Sequence, residues 1–354
     1  MINVKHYPSN VFRERGIFQQ SVNFELRCQN ASKRIAVIER ISAKGFDDED
    51  HCIFSLFVDS NAVSPSVEIV PERKLEPGKT LEIFNPIAEL PLEYDFKRID
   101  YSLRFISEDA ANAEAGISVK PVIYEQKVLL DLPFRGVCLV TDGHDFLAHH
   151  RRIPLLNQYV EKIGLTANSA RFAYDFMVVD LEGKVHRRNG SKLEDYYGWG
   201  KPVLAPGDGK VVSAAHDKAD NPVSGPLPPI APEQYERLRK AAFDELESVG
   251  LEGFHGNHAI IDHGNSEFSL IDHMQKDSVI VEVGDEVTRG TVLGNIGNSG
   301  DSGTPHIHYG LQNGMDDRES EGLPSRFSEF ELLLGNTAKR IRNLCPNTGM
   351  IVKH

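Results

Sequence analysis

The sequence predicts an all-β protein with a small helical insertion. Most of the 354 residues fall into short runs in which apolar and polar residues alternate, and Gly, Pro, Asn or Asp interrupts these runs. Alternation of period two places the apolar side chains on one face of a sheet, and the interrupting residues are typical of turns. Only residues 231–250 have the apolar spacing of a helix, with Glu in the first turn and Gly250 as a stop signal.

The pattern predicts two β domains of different kinds. Residues 1–135 contain runs such as SVNFELRC, CIFSLFVD, DYSLRFISE and PVIYEQKVLLDLPF, which predict a β-sandwich of immunoglobulin-like size. The run ANAEAG, at 111–116, is predicted to be a hairpin loop. Residues 136–330 form the second domain, an antiparallel β-sheet interrupted by a loop and one helix at 217–254. Residues 331–354 are predicted to be a C-terminal tail that packs on the core as a short helix or strand.

Composition excludes several classes of protein. The chain is 40% hydrophobic and 26% charged, as globular proteins are, and its net charge of −13 argues against binding to nucleic acid. No run approaches the roughly 20 apolar residues of a spanning helix, and MINVKHYPSNVFRERG has no apolar signal core, so the chain as it stands is expected to be soluble and unexported. Four scattered cysteines indicate neither a zinc knuckle nor a disulfide framework.

The histidines are concentrated in the second domain. Eleven of the 14 lie between His144 and His308, and histidine is the commonest metal ligand. In PHIHYGLQ, His306 and His308 are two residues apart, so a strand would project both from one face. The preceding run GNIGNSGDSGTP contains glycines that allow tight turns and close backbone approach to a ligand. The sequence therefore predicts a functional site near this strand.

Two further segments contribute polar residues to the predicted site. In EFSLIDHM, His273 is expected to share a strand face with Ser269 and Ile271 and to point into the same cleft. In ARFAYDFMVV, Asp175 lies between apolar neighbours, and an acid in such surroundings needs a partner, for which a metal ion is one candidate.

These segments together resemble the core of a known enzyme family. The runs KPVLAPGDGKVV, GNHAIIDHG, FSLIDHM and VEVGDEVTRGTVLGNIGNSGDSGTPHIHYGLQ, in this order, are similar to the M23 (LytM/lysostaphin-type) zinc metallopeptidases. The resemblance covers residues 171–312, apart from the insertion. It implies zinc-dependent hydrolysis of peptide bonds, with peptidoglycan cross-links or related peptides as substrates. It also implies a periplasmic or cell-envelope location, whereas a native start at Met1 would imply a cytoplasmic one.

The resemblance also implies roles for individual residues. The Asp ligand of the family falls on Asp175 and the second His of its HxH ligand pair on His308. His306 and His273 match the two histidines that serve as catalytic base and transition-state stabiliser. Zinc held by three protein groups keeps one position for water and lowers the pKa of that water, and nearby neutral histidines can accept its proton.

One ligand of the family is absent from its usual place. The family motif HxGxD supplies a His four residues before the Asp, where this chain has Arg171, and a guanidinium group has no free lone pair for zinc. In DGHDFLAHHRRIP, His149 and His150 are candidates to fill the vacancy, with His150 preferred. The alternative is that both lie in a solvated loop and the site is metal-free. We expect Arg171 and Tyr174, beside the ligand Asp175, to contact substrate.

Two other functions compete with catalysis. A non-catalytic M23-like module would bind peptidoglycan or regulate a partner hydrolase, but degenerate sites usually lose several of the matched residues together. The run VIVEVGDEVTRGTVLGNIG also resembles a biotinyl or lipoyl hairpin, which needs a Lys at the turn, and none occurs there.

The 217–254 insertion is expected to flank or cover the substrate groove. The role of the first domain and the oligomeric state are left open.

Overall fold

A computed structural model describes two compact units, Met1–Tyr124 and Glu125–His354. In the described part of the chain, no helix combines the length and apolar character that crossing a bilayer requires. The description leaves out residues 61–68, 71, 108–111, 224–232, 234–236, 238–240, 242–243, 245–247, 249 and 252, and the side chain of residue 159.

The first unit is a sandwich of two antiparallel sheets. One sheet has the order β1-β2-β6, with β7 also paired to β2, and the other has the order β4-β3-β8-β9, with β5 paired to β3. Phe24 and Leu26 from one sheet share a core with Ile41 and Leu103 from the other. The predicted N-terminal β-sandwich is confirmed. Its described strands are β1 (Ile2–Arg15), β2 (Gln19–Asn30), β3 (Ala36–Phe46), β4 (Cys52–Asp59), β5 (Lys74–Leu75), β6 (Thr80–Phe84), β7 (Glu89–Pro91), β8 (Arg98–Ser107) and β9 (Asn112–Val119).

Two local predictions for this part of the chain are wrong. Most of the run ANAEAG lies in β9, which pairs with β8 at the edge of its sheet, instead of forming a hairpin loop. Small and polar residues give an edge strand a weak sequence signal. The run PVIYEQKVLLDLPF, predicted as a strand, makes only isolated bridges, at Val122 and Leu130. Its backbone hydrogen bonds are scattered, as at Val122 with Val11 and Arg13 and at Leu130 with Ser328, and they form no continuous ladder along the segment.

The second unit is built on an 11-stranded antiparallel sheet. Its order is β16-β13-β14-β15-β18-β11-β10-β22-β20-β21, with β19 paired to β18, and β12 and β17 form a separate pair. The predicted all-β class is confirmed. The strands are β10 (Val137–Asp142), β11 (Tyr174–Val178), β12 (Pro202–Leu204), β13 (Gly209–Ala215), β14 (Asn257–Asp262), β15 (Phe268–Met274), β16 (Glu286–Val287), β17 (Val292–Asn295), β18 (Ile307–Gln312), β19 (Gly322–Leu323), β20 (Phe327–Leu334), β21 (Thr337–Leu344) and β22 (Ile351–Lys353), and a short helix, α1, spans Gln158–Lys162.

A helical insertion separates β13 from β14. The described residues Glu233, Arg237, Ala241, Asp244 and Ser248 are helical and exposed, and their spacing of three or four residues places them on one helix face. Residues 253–255 are also helical, just before β14 begins. This confirms the small helical insertion that the sequence predicts.

The last residues of the chain are part of the main sheet. The predicted tail, 331–354, lies in the same compact unit, and β22 pairs with both β10 and β20. Phe327 of β20 is fully buried, and its ring packs against those of Tyr174, Phe176 and Tyr309. These aromatic contacts connect the C-terminal strands to the centre of the sheet.

We predict that Phe327→Ala destabilises the protein by roughly 3–5 kcal/mol, the usual cost of removing a buried aromatic side chain. Leu334→Ala is the control, because Leu334 lies on the same strand and is 46% exposed. Its effect should be about 0.5 kcal/mol or less. Urea unfolding of both variants measures the difference, and equal effects would contradict an integral role for β20.

Candidate metal centre

A lateral row of four polar residues crosses the centre of the sheet. Asp142 pairs with Asp175 across β10 and β11, and Asp175 pairs with His308 across β11 and β18. Asp272 of β15 pairs with His308 from the other side. Residues directly opposite one another on neighbouring strands project from the same face. We call this set, Asp142, Asp175, His308 and Asp272, the transverse row.

A bulge places Asp142 in the transverse row. Val140 pairs with Phe176 and Asp142 pairs with Asp175, so Thr141 is an extra residue in β10. Without the bulge, Asp142 would project from the same face as Val140, which is fully buried in the apolar core. The extra residue turns the Asp142 carboxylate to the face of Asp175.

A second bulge acts on His273. Between the pairs Ala259–Ile271 and Asn257–Met274, the single residue His258 faces both Asp272 and His273. His273 has a φ of +63°, in the left-handed region that side chains other than glycine rarely adopt. The bulge and this backbone conformation redirect the His273 ring.

The expectation that His273 shares a face with Ser269 and Ile271 is wrong. Ile271 pairs with Tyr309, and the Ser269 hydroxyl lies 3.4 Å from the Tyr309 hydroxyl, on the face opposite His308. The His273 ring instead lies 4.9 Å from the ring of His306 and 5.7 Å from that of His308, between centroids. His273 therefore joins the histidine cluster through the bulge and not through strand alternation.

Three histidines surround the Asp175 carboxylate. His308 Nδ1 lies 3.1 Å from Asp175 Oδ1, and His306 Nε2 lies 3.5 Å from the same oxygen. His150 Nε2 lies 3.7 Å from Asp175 Oδ2, and the His150 and His308 rings meet edge to face with centroids 4.6 Å apart. The structure thus brings together four of the residues that the sequence indicated: Asp175, His150, His306 and His308.

His149 takes a different position from its neighbour. Its side chain is 68% exposed, whereas that of His150 is 13% exposed. His149 Nδ1 lies 3.1 Å from Asp142 Oδ2, and no distance below 4.0 Å joins His149 to Asp175 among the described contacts. Asp142, His149, His150 and Asp175 can each offer one ligand atom within 4.8 Å of the others. Of the two adjacent histidines, His150 is the one that contacts the Asp175 carboxylate.

Arg171 and Tyr174 are not available to a substrate, so their predicted role in substrate binding is wrong. Arg171 is 1% exposed, and its Nε donates a hydrogen bond to Glu321 Oε2 at 3.2 Å. Tyr174 is fully buried, and its hydroxyl donates to the Ser325 carbonyl at 3.1 Å. Tyr174 alternates with Asp175 along β11, so it projects into the aromatic core on the opposite face.

The histidines of the cluster have defined orientations. His273 Nδ1 lies 2.9 Å from the Ser299 carbonyl and His306 Nδ1 lies 2.8 Å from the Thr304 carbonyl. A carbonyl oxygen only accepts hydrogen bonds, so each Nδ1 carries a proton. The Nε2 atom of each ring therefore has a free lone pair or proton with which to act in the site.

Gly297 lies beside His273 and has no room for a side chain. The Gly297 amide donates a hydrogen bond to the His273 carbonyl at 3.1 Å, and a Cβ at Gly297 would lie 2.2 Å from Gln275 N, which explains why this position is glycine.

Burial and charge shift the pKa values of these groups in different directions. Burial would raise the pKa of Asp175, but the charges of His150 and His306 outweigh it and hold that pKa well below its usual value. Burial, reinforced by the neighbouring His306, lowers the pKa of His273 to about 3. Burial also acts to lower the pKa of His306, but the Asp175 carboxylate raises it overall. Burial and the neighbouring His306 therefore favour a neutral His273.

The donors around Asp175 suit a tetrahedral metal ion. Zinc binds N and O ligands at 2.0–2.1 Å, so two tetrahedral ligand atoms lie roughly 3.3 Å apart. His308 Nδ1 lies 3.1 Å from Asp175 Oδ1 and His150 Nε2 lies 3.7 Å from Asp175 Oδ2, so each nitrogen is near that separation from one of the two oxygens. Two imidazoles and one carboxylate, all largely buried, also form a donor set that zinc favours.

A sequence comparison finds a match in part of this unit. Residues 244–320 match the model of Peptidase family M23. The resemblance to the M23 peptidase family is confirmed. The matched segment contains His273, His306 and His308, and it begins after His150 and Asp175. No curated protein matches the chain.

Several solved structures are similar to parts of this chain. The catalytic domain of the antimicrobial peptidase lysostaphin from Staphylococcus simulans has 18% identity over 45% of this chain and 80% of its own, with a TM-score of 0.25. A point mutant of the catalytic domain of the prophage-encoded M23 protein EnpA from Enterococcus faecalis has 16% identity over 55% and 93%, with a TM-score of 0.29. A zinc containing peptidase from Vibrio cholerae has 13% identity over 88% and 79%, with a TM-score of 0.30. At these scores the likeness bears on neither substrate nor mechanism.

The histidine cluster around Asp175 has a largely buried neighbour that the sequence did not indicate. His255, at the end of the helical insertion, lies 2.7 Å from Asp272 Oδ2 through Nδ1 and 2.6 Å from Asp317 Oδ2 through Nε2. Burial alone would lower the pKa of His255, but the two carboxylates raise it well above its usual value. Because these residues are far apart in the sequence, only the folded chain reveals the cluster, which joins the insertion to the transverse row.

We predict that His255→Gln costs roughly 3–5 kcal/mol at pH 5, because a buried carboxylate loses its partner. The raised pKa of His255 stabilises the fold fully below the ordinary value of 6.5, and this contribution declines as the pH rises towards the folded-state value. The pKa of Asp272, lowered from 3.8 to about 2, adds stability that is lost as the pH falls through about 2.

The stability difference between wild type and His255→Gln should therefore be largest between about pH 4 and pH 6.5 and smaller at pH 9. Urea unfolding at several pH values measures it. His216→Gln is the control, because His216 is exposed, and it should leave the unfolding free energy nearly unchanged. A difference that grows with rising pH would contradict the assignment of a charged His255.

Proposed function

We propose that the carboxy-terminal unit is a zinc-dependent endopeptidase. Its proposed substrates are peptides of the peptidoglycan cross-link type, or related peptides that contain glycine or D-amino acids. The observation that carries the proposal is the convergence of His150, Asp175 and His308 at ligand spacing, with His273 and His306 beside them. The substrate class follows from the M23 resemblance alone.

In this proposal the metal ligands are His150 Nε2, the Asp175 carboxylate and His308 Nδ1. Zinc bound there would lower the pKa of a coordinated water molecule and polarise the scissile carbonyl. His150 supplies the nitrogen that Arg171 cannot supply, and it does so from the loop after β10 instead of from the turn before β11. Arg171 is buried and donates its Nε hydrogen bond to Glu321.

In the proposed mechanism, His273 and His306 interact with the attacking water and the substrate carbonyl and do not bind the metal. The Ser299 carbonyl fixes the proton of His273 on Nδ1, so the Nε2 lone pair is the proton acceptor during attack on the peptide carbonyl. His306 presents Nε2 towards Asp175, and a proton there can donate a hydrogen bond to the oxyanion that develops.

Metal content is the first test of this proposal. Elemental mass spectrometry of protein purified without chelator should find about one zinc per chain, the stoichiometry of a single catalytic site with three protein ligands. His150→Ala and His308→Ala should lose most of it, because each removes a ligand. His149→Ala is the matched control and should retain zinc, because the adjacent His149 side chain is exposed. Wild-type protein without zinc, even after reconstitution, would point to a non-catalytic binding module.

Hydrolysis tests the role of His273. We predict that His273→Ala keeps zinc and folds, but lowers kcat by about 10²–10⁴, the usual contribution of a general base. Mass spectrometry of a cross-linked peptidoglycan peptide measures cleavage, with a linear L-peptide of similar length as the comparison. Full activity of His273→Ala would exclude it as the base, and equal cleavage of both peptides would exclude the proposed substrate class.

A further inference from the structure

Asp142 is a buried carboxylate at one end of the transverse row, and it is 2% exposed. Its oxygens accept hydrogen bonds from the backbone amides of His149, at 2.8 Å, and His150, at 3.0 Å. His150 Nδ1 lies 2.6 Å from Asp142 Oδ2, a close contact that does not have the geometry of a regular hydrogen bond. The Asp142 carboxylate therefore contacts both the backbone amide and the side-chain Nδ1 of His149 and of His150.

These contacts make Asp142 a poor candidate for a metal ligand. Two backbone amides donate hydrogen bonds to the Asp142 carboxylate, and the Nδ1 atoms of His149 and His150 lie 3.1 Å and 2.6 Å from its Oδ2. Binding a metal through Asp142 would require giving up contacts that hold the loop. The positions of His150 Nδ1 beside Asp142 and His150 Nε2 beside Asp175 place the imidazole between the two carboxylates.

We propose that Asp142 is a positioning residue that holds His150 in the orientation and tautomer of a ligand. This inference rests on the proposed function of the site. A carboxylate that accepts from Nδ1–H directs the lone pair of Nε2 towards the metal and makes that nitrogen a better donor. Asp142 thereby fixes the orientation of His150, as the strand β11 fixes the orientation of Asp175.

The location of His150 explains why such a residue is needed. Asp175 and His308 lie on paired strands, where the hydrogen bonds of the sheet fix their backbones. His150 lies in a short 3₁₀ turn, His150–Arg152, within a loop. Two backbone amides of this loop are anchored by the same carboxylate that contacts the His150 ring. Asp142 therefore fixes both the backbone and the side chain of the proposed ligand.

Asp142→Asn tests the inference, because it keeps the shape and removes the charge and one acceptor oxygen. Asp145→Asn is the matched control. Asp145 is buried in the same loop and accepts from the backbone amides of Leu147 and Thr348, but it contacts no histidine among the described residues. The measurements are the zinc Kd, by competition with a chelator, and the tautomer of His150 in metal-free protein, by long-range ¹H–¹⁵N NMR.

We expect Asp142→Asn to weaken zinc binding by about 10- to 100-fold. We also expect it to shift His150 away from the Nδ1–H tautomer, while Asp145→Asn leaves both properties near wild type. A zinc Kd within two-fold of wild type and an unchanged tautomer would overturn the inference. So would a cobalt spectrum of Asp142→Asn with one donor fewer, because it would make Asp142 a ligand. The tautomer is measured without metal, so it tests Asp142 even if wild type binds no zinc.

Discussion

The burial of the Asp175 carboxylate is the constraint on which the centre of this sheet depends. An ionised carboxylate in an apolar interior is costly unless other groups compensate for its charge. His150, His306 and His308 provide this compensation from a loop, the start of a strand and the strand itself. Their convergence on one side chain requires the register that pairs β11 with β18, so the lateral pairing of the sheet and the chemistry of the cluster are parts of one arrangement.

The two faces of the same strands have opposite characters. Tyr174 and Tyr309 pair with each other directly beside the pair of Asp175 and His308, yet they lie in an aromatic core that includes Phe327. A change of register by one residue would bring the aromatic side chains to the polar face and bury the acid and the histidine in the core. The aromatic contacts therefore do more than add stability, because they also oppose any slip that would disassemble the polar cluster.

The strands of the central sheet and the pairing of His306 with His308 on one face can be predicted from local sequence patterns. Alternation predicts β11, β15 and β18, and the two-residue spacing of His306 and His308 places them on one face. The sequence does not reveal which way the aromatic residues beside Asp175 face, so it wrongly predicts Tyr174 as a substrate contact. The bulges that redirect Asp142 and His273 depend on pairing with other strands, and no local motif records that pairing. The partners of His255 are likewise brought together only by the tertiary fold.

The loop position of His150 bears on how such sites change during evolution. A point above a sheet can be reached from the strand beneath it or from the loop that follows the neighbouring strand. Such an exchange moves a residue far along the chain while moving it little in space. In the proposed site, a search for a fixed linear motif would record the loss of a ligand, whereas the three-dimensional arrangement would record its relocation. Chains with Arg at the first motif position can be sorted by the residues that follow the adjacent strand.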